Sequence, residues 1–76
     1  HFVYSDQGKT YLAEGYGACP TTGYTIEVKE LYETEHVVCL HTSLMGPATG
    51  EETKEITTFP YIVVEISETE KEVMFD

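Results

Sequence analysis

The sequence contains no arginine and no tryptophan, and lysine is scarce. Four lysines face fourteen aspartates and glutamates, so the formal net charge is −10 at pH 7. A field of this sign repels phosphate backbones and anionic lipid headgroups. We therefore expect no nucleic-acid partner.

Long apolar segments are also missing. No stretch approaches the roughly 20 consecutive apolar residues of a bilayer-spanning helix, so we expect this domain not to insert into a membrane. No positively charged segment followed by an apolar one marks a signal peptide. The 76 residues, 41% apolar and 24% charged, suit one folded domain, residues 1–76, near the lower size limit for a single core.

Helical periodicity is absent, whereas apolar and polar residues alternate with a period close to two along most of the chain. This pattern predicts an all-β domain, a small antiparallel sandwich or open barrel of about five to six strands with little or no helix. Phe2–Tyr4 and Thr10–Ala13 flank the turn residues Ser5–Lys9, which predicts an opening hairpin.

The C-terminal third predicts two further strands. Ile56–Ile66 carries a long apolar run, and Glu72–Phe75 forms a short last strand. Pro60 cannot donate a hydrogen bond to a sheet, so we expect a bulge or a strand end there.

The clearest unit is the hairpin Tyr24–Met45, which turns at Glu33–Glu35. Setting Tyr32 opposite His36 gives the core-face pairs Tyr24–Leu44, Ile26–Thr42, Val28–Leu40 and Glu30–Val38. The other face then has the pairs Thr25–Ser43, Glu27–His41, Lys29–Cys39 and Leu31–Val37. A shift of one residue would set Lys29 against Leu40, which favours this register.

The two cysteines are too few for a disulfide framework. In the predicted register Cys39 lies about 16 Å from Tyr24, the neighbour of Cys19, at about 3.3 Å per residue. Because a disulfide needs Cα atoms within about 7 Å, we expect Cys19 and Cys39 to be free thiols.

Cys39 and His41 share one strand face, with Glu27 predicted opposite His41. A structural zinc site needs four ligands, and a thiol and imidazole two residues apart lie about 6.6 Å from each other, beyond the about 3.2 Å of a catalytic pair. A cross-strand Glu27–His41 pair explains the grouping better. The chain also lacks a phosphate loop and a nucleophile elbow, so we expect no metal, no cofactor and no enzymatic activity.

Loops of turn residues and aromatic side chains are the better candidates for a site. Proline and glycine stiffen a loop, which lowers the ordering cost of docking, and exposed aromatics anchor protein interfaces. The candidate partner-binding residues are Pro20, Thr21, Thr22, Gly23, Tyr24, Gly46, Pro47, Phe59, Pro60 and Tyr61.

The order of these motifs resembles a known family. Cys19-Pro20-Thr21-Thr22-Gly23-Tyr24, a hairpin, a Gly/Pro loop and Phe59-Pro60-Tyr61 before a Val/Ile run are similar to the C-terminal domain of PrcB-type subunits of secreted bacterial protease complexes, from about Tyr11 to Ile66. The resemblance implies a non-catalytic protein-binding domain, an accessory part of a secreted or cell-surface protease complex. It also implies an extracytoplasmic location, a protein partner such as a protease, and a longer parent protein.

Two alternatives remain. Pro20–Gly23 resembles the Asn-Pro-Thr-Thr-Gly loop of chagasin-type cysteine protease inhibitors, with Cys19 in place of Asn, which implies an inhibitor that inserts three loops into an active-site cleft. The third segment, Phe59–Tyr61, begins about 23 Å beyond the second loop if the chain is extended, so it joins the others only if the chain turns back. The other alternative is a structural β module of a surface protein, and the exposed sheet edges also allow a dimer.

Overall fold

The computed structural model describes all 76 residues, His1–Asp76, and contains six strands and no helix. The strands are β1 (Phe2–Asp6), β2 (Lys9–Gly15), β3 (Thr25–Glu33), β4 (Val37–Met45), β5 (Tyr61–Ser67) and β6 (Glu72–Phe75). They form two three-stranded sheets, β1-β2-β5 and β3-β4-β6. The predicted all-β class is confirmed, and the sheets do not close into a barrel. No helix of the kind that crosses a membrane occurs in the chain.

The first sheet is antiparallel and regular. Its hairpin turns at Gln7 and Gly8, whose φ angles of 49° and 83° are those of a type I′ turn. Because Asp6 pairs with Lys9, the turn is tighter than the predicted Ser5–Lys9, although the hairpin itself is confirmed. The register of β5 against β2 runs without interruption from the pair Gly15–Tyr61 to the pair Lys9–Ser67.

The strand end predicted at Pro60 is confirmed, since β5 begins at Tyr61. Residues 51–57 belong to no strand, so the predicted strand at Ile56–Ile66 is shortened at its start. Thr58 makes an isolated bridge instead.

The predicted register of the β3–β4 hairpin is wrong. Tyr32 lies opposite Cys39 instead of His36, and Ile26 lies opposite Leu44. The reason is the turn, because the Thr34 backbone N–H donates to the Val37 carbonyl at 2.8 Å. The Thr34 hydroxyl oxygen also accepts from the backbone N–H groups of His36 and Val37, at 3.3 and 3.1 Å. The turn is therefore centred beyond Thr34, and every pair predicted from Tyr24 to Leu31 moves, namely Tyr24–Leu44, Ile26–Thr42, Val28–Leu40, Glu30–Val38, Thr25–Ser43, Glu27–His41, Lys29–Cys39 and Leu31–Val37.

A β-bulge at Lys29 changes which side chains of β3 point toward the core. Val28 lies opposite Thr42, but the next pair is Glu30 with His41, so Lys29 is the extra residue. In an unbroken strand Glu30 would point into the core, where an unpaired carboxylate is costly. The bulge turns Glu30 outward and sets Leu31 opposite the buried Leu40.

β6 lies parallel to β4, with Val38 opposite Val73 and Leu40 opposite Phe75. The predicted short last strand is confirmed, while its parallel direction departs from a purely antiparallel sandwich. The reason is the connection Glu68–Lys71, which carries the chain from the first sheet to the second. Asp76 extends the pairing, since its N–H donates to the Leu40 carbonyl at 2.9 Å.

The core between the sheets is small. Leu12 of the first sheet packs with Val38 and Leu40 of the second, and all three side chains are buried. Half-buried apolar side chains surround this centre: Val64, Ile66, Val73 and Phe75. A core of this size contributes modestly to stability, so the hydrogen bonds that hold the sheets and the loops carry a larger share.

Candidate functional site

The long connections meet at one end of the sandwich, which we call the loop end. It consists of residues 16–24 and 46–60, which follow β2 and β4 and precede β3 and β5. The opposite end, which we call the turn end, consists of Gln7–Gly8, Thr34–His36 and Glu68–Lys71. The molecule is elongated, with extents of 44 × 21 × 15 Å.

Two backbone hydrogen bonds between Cys19 and Thr58 tie the loops of the loop end together. The N–H of Cys19 donates to the Thr58 carbonyl at 2.7 Å, and the Thr58 N–H donates to the Cys19 carbonyl at 2.8 Å. The Thr58 hydroxyl also donates to the Thr21 carbonyl at 2.8 Å. The chain between β4 and β5 therefore turns back and holds the start of the proline loop.

A second tie lies one step further along the same loop. The Thr22 N–H donates to the Lys54 carbonyl at 3.0 Å, and the Lys54 N–H donates to the Thr22 hydroxyl at 2.9 Å. Hydrogen-bonding groups of Thr21 and Thr22 thus hold the loop itself in place. Threonine suits this role because its hydroxyl both donates and accepts.

Gly23 joins the proline loop to the loop that follows β4. Its φ is 93°, and a Cβ atom placed there would lie 2.8 Å from Glu51 Oε2 and 3.1 Å from Pro47 Cβ. Only glycine combines this backbone angle with so close an approach. The first and second predicted loops are therefore in contact.

The third predicted segment, Phe59–Tyr61, also reaches the loop end. It follows Thr58 directly, and the Pro60 carbonyl oxygen lies 3.5 Å from the position that a Cβ atom on Gly15 would take. Phe59 and Tyr61 are 67% and 75% exposed. Two large aromatic side chains thus stand in solvent on backbone that is fixed on both sides.

Nine of the ten residues proposed from the sequence lie in the loop end, and the tenth, Tyr61, is the first residue of β5 directly beside it. They differ in accessibility. Pro20, Gly46, Phe59 and Tyr61 are exposed, and the half-buried residues are Thr21, Thr22, Gly23, Tyr24, Pro47 and Pro60. Sequence reasoning missed Lys54 and Thr58, which hold the loops together. Their segment is polar and without periodicity, so no pattern in it signals pairing with Cys19 and Thr22.

The lysines differ in whether they form ion pairs with glutamates. Three lysines lie in ion pairs with glutamates, Lys9–Glu65 at 3.4 Å, Lys29–Glu27 at 3.1 Å and Lys71–Glu33 at 3.3 Å. Lys54 makes no such pair and lies at the loop end among Glu51, Glu52 and Glu55. The loop end therefore carries an acidic excess.

A second grouping of polar side chains lies on the outer face of the second sheet. Glu30, Tyr32, Cys39 and His41 line an open groove of about 310 Å³ beside β6. Hydrogen bonding and electrostatic interaction with the neighbouring Cys39 side chain raise the pKa of Tyr32 above its ordinary value, and Glu30 adds to this effect. The predicted Glu27–His41 pair is absent, because Glu30 lies opposite His41. Both cysteines are free thiols, and no three His, Cys, Asp or Glu side chains converge as metal ligands would.

Comparison with known proteins identifies the family. A family model described as PrcB C-terminal matches residues 10–67. No curated protein and no solved structure matches the chain. The matched residues run from β2 to the end of β5 and include the whole loop end, as the motifs Pro20–Tyr24 and Phe59–Tyr61 predict. This chain therefore belongs to the PrcB C-terminal domain family.

Proposed function

We propose that this domain is a non-catalytic binding domain, which attaches to a component of a secreted or cell-surface protease complex through the loop end. Membership of the PrcB C-terminal family supports the link to a protease complex. The proposal assigns the contact to the exposed residues Pro20, Phe59 and Tyr61, with the tied loops beneath them as the support.

The observation that carries the proposal is the exposure of Phe59 and Tyr61 on fixed backbone. Isolated apolar residues on a surface are ordinary, but two neighbouring aromatics this exposed supply the area of an interface anchor. Because Thr58 is hydrogen-bonded to Cys19 immediately before them, little backbone freedom is left to lose on docking.

The charge of the loop end adds a preference for a type of partner. Glu51, Glu52 and Glu55 are close to Lys54 in the sequence, Lys54 makes no ion pair, and the whole chain carries −10. Potentials across interfaces are usually complementary, and complementary charge raises the rate of encounter. The partner surface is therefore expected to be basic around an apolar pocket.

The experiment uses the longer parent protein, tagged and purified from the envelope and secreted fractions of its source. We expect a protease component to co-purify, and Phe59→Ser and Tyr61→Ser each to lower its recovery at least tenfold. Tyr32→Ser is the matched control, because Tyr32 is 50% exposed but lies near the turn end. If no protease component is recovered with the wild type, or if Tyr32→Ser acts as strongly as Tyr61→Ser, the proposed site is wrong.

Protease inhibition is a second candidate, favoured by one specific observation. The proline loop, the loop after β4 and Phe59–Tyr61 lie at the same end, which is the arrangement that a three-loop inhibitor needs. The test is inhibition of papain-like and subtilisin-like proteases by the wild type and by Pro20→Ser with Phe59→Ser, which change exposed side chains without disturbing Gly23. Absence of inhibition at micromolar concentration would remove this candidate.

A further inference from the structure

The four outer strand edges of the two sheets are unequally protected against pairing with another chain. The bulge at Lys29 interrupts β3, β6 has only four residues, and β1, at an ordinary five residues, is two residues shorter than β5. Bulges, lysines and short length are the usual protections of an edge strand. β5 has none of them, since its seven residues pair with β2 without a break and include one charged residue, Glu65.

The edge of β5 borders an open side of the sandwich. Val28 and Leu31 lie opposite the buried Thr42 and Leu40, so their side chains face inward, yet they are 37% and 40% exposed. A groove of about 300 Å³ lies at this side, lined by Leu31, Tyr32, Glu33, Val38, Ile66 and Ser67. On the other side the ring of His1 stacks on Phe75 at 4.2 Å. The core is therefore less covered beside β3 and β5.

No other part of the chain forms hydrogen bonds with the outer edge of β5 or β3, although these two strands approach each other on this side of the sandwich. The loop hydrogen bonds and the side-chain hydrogen bonds involve no backbone group of residues 25–33 or 61–67. The backbone donors and acceptors along the outer edge of β5 are thus left to solvent. A strand added there would satisfy them.

We propose that the occupant of this edge is a second copy of the chain, whose β5 pairs antiparallel with β5 about Val64. This register is self-complementary. Ile62 of one copy lies opposite Ile66 of the other, and Val64 lies opposite Val64, all on the inward face. On the outward face Val63 lies opposite Glu65 and Tyr61 opposite Ser67. The result is a two-fold symmetric, six-stranded sheet.

Charge and side-chain chemistry both favour this pairing. Glu65 is the one charged residue of β5, its ion pair with Lys9 at 3.4 Å offsets it, and the register sets it opposite an apolar valine. Like charges are therefore never directly opposite, although each copy carries −10. The same operation about Tyr4 of β1 would set Val3 opposite Ser5 and Phe2 opposite Asp6, a much poorer match.

We expect added salt to strengthen the dimer. Two copies of charge −10 repel each other through the solvent, and added salt screens that repulsion. Because the paired strands themselves contribute contacts that salt does not weaken, the dimer should become tighter as sodium chloride is raised.

The test is sedimentation equilibrium on the chain and on two substitutions of opposite charge at Val63, an exposed position. Val63→Glu sets carboxylates opposite each other twice by symmetry, and we expect it to weaken the dimer about tenfold. Val63→Lys sets an ammonium opposite Glu65 of the second copy, and we expect it to retain or strengthen the dimer. Tyr4→Glu and Tyr4→Lys are the matched controls, since they make the same charge changes on the outer face of the distant strand β1.

We expect a concentration-dependent dimer. Val63→Lys should form a tighter dimer than Val63→Glu, and the ratio of their dissociation constants should exceed the ratio for Tyr4→Lys and Tyr4→Glu. Hydrogen exchange should then slow in β5, and not in β1, as concentration rises. A monomer at millimolar concentration in high salt would overturn the proposal, leaving another protein's strand as the occupant. Weakening by both Tyr4 changes and both Val63 changes would also overturn it, because that result indicates stacking through the outer sheet face.

Discussion

The two ends of the sandwich are built by different means. The turn end closes with short connections. They combine local hydrogen bonds, as between Thr34 and Val37, with three longer-range ones from Glu68, Thr69 and Lys71 to Gly8, Thr10 and Thr34. The loop end closes with long connections held by bonds between distant residues, as between Cys19 and Thr58. The comparison teaches that loop length and loop rigidity are separate properties, because here the longer loops have the more extensive ties.

A functional difference follows from this construction. Long loops offer more surface than tight turns, but they are usually more mobile. At the loop end the ties at Cys19–Thr58 and Thr22–Lys54 reduce that mobility, so Phe59 and Tyr61 are presented on a firm base. The following substitutions disturb the loop end and the turn end separately.

The largest difference is expected between two glycines. Gly23→Ala at the loop end combines a φ of 93° with contacts at 3.1 Å to Pro47 Cβ and 3.3 Å to Thr53 Cγ2, and we expect it to lower the free energy of unfolding by about 3 kcal/mol. Gly8→Ala at the turn end has a φ of 83° and open space, so about 1 kcal/mol is expected. Urea denaturation of both variants measures the difference, and equal losses would show that the contact of Gly23 with Pro47 and Thr53 is unimportant.

A smaller difference is expected between two threonines. Thr58→Val removes the hydroxyl that donates to the half-buried Thr21 carbonyl, which should cost about 1–2 kcal/mol. Thr34→Val leaves exposed N–H groups that water can satisfy, so about 0.5 kcal/mol is expected. The same denaturation experiment applies. A larger loss at Thr34 would mean that the turn end, and not the loop end, depends on its threonine.

The reaction rates of the two thiols give a further test of how firmly the loop end is held. Cys19 is buried where the loops are tied, whereas Cys39 is half-buried on a sheet face. We expect a thiol reagent to modify Cys39 first and Cys19 only when the loop end opens. Thr58→Val should speed the reaction of Cys19 and leave that of Cys39 unchanged. Equal acceleration of both thiols would indicate global unfolding rather than local opening.

The smallest effect concerns Tyr32, near the turn end. Its pKa is raised above 10.0 chiefly by its hydrogen bond with Cys39, so Cys39→Ala should lower it and Cys19→Ala should not. Tyrosinate absorbance measures the titration, with Tyr32→Phe to identify the signal. Because folded Tyr32 holds its proton more tightly than unfolded Tyr32, stability should fall as pH rises past 10.0. An unchanged titration in Cys39→Ala would exclude the coupling.

Strand positions followed from the sequence because side-chain alternation and turn residues are local signals. The pairing of β3 with β4 did not follow, since Thr34 shifts the turn by side-chain hydrogen bonds that compete with the regular pattern. The bulge at Lys29 was missed for a related reason. Strict alternation places Glu30 on the core face and Leu31 on the outer face, and nothing in the sequence pattern marks Lys29 as the residue whose bulge resolves this conflict.

The loop end was predictable only in part. Proline, glycine and the exposed aromatics identified the loops, because these residues restrict or permit particular backbone angles. The partners that hold the loops, Lys54 and Thr58, carry no periodic or motif signal. Their role depends on where the chain returns in space, which is decided by pairing over more than thirty residues.

The order of strands has a consequence for biosynthesis. Each sheet is a hairpin of neighbouring strands completed by one strand from the C-terminal third, β5 in the first sheet and β6 in the second. An isolated two-stranded hairpin is at best marginally stable in water. A nascent chain that has emerged from the ribosome only as far as residue 60 therefore holds two hairpins without their third strands. The first sheet is complete only when β5 has emerged, and the second only when β6 has followed.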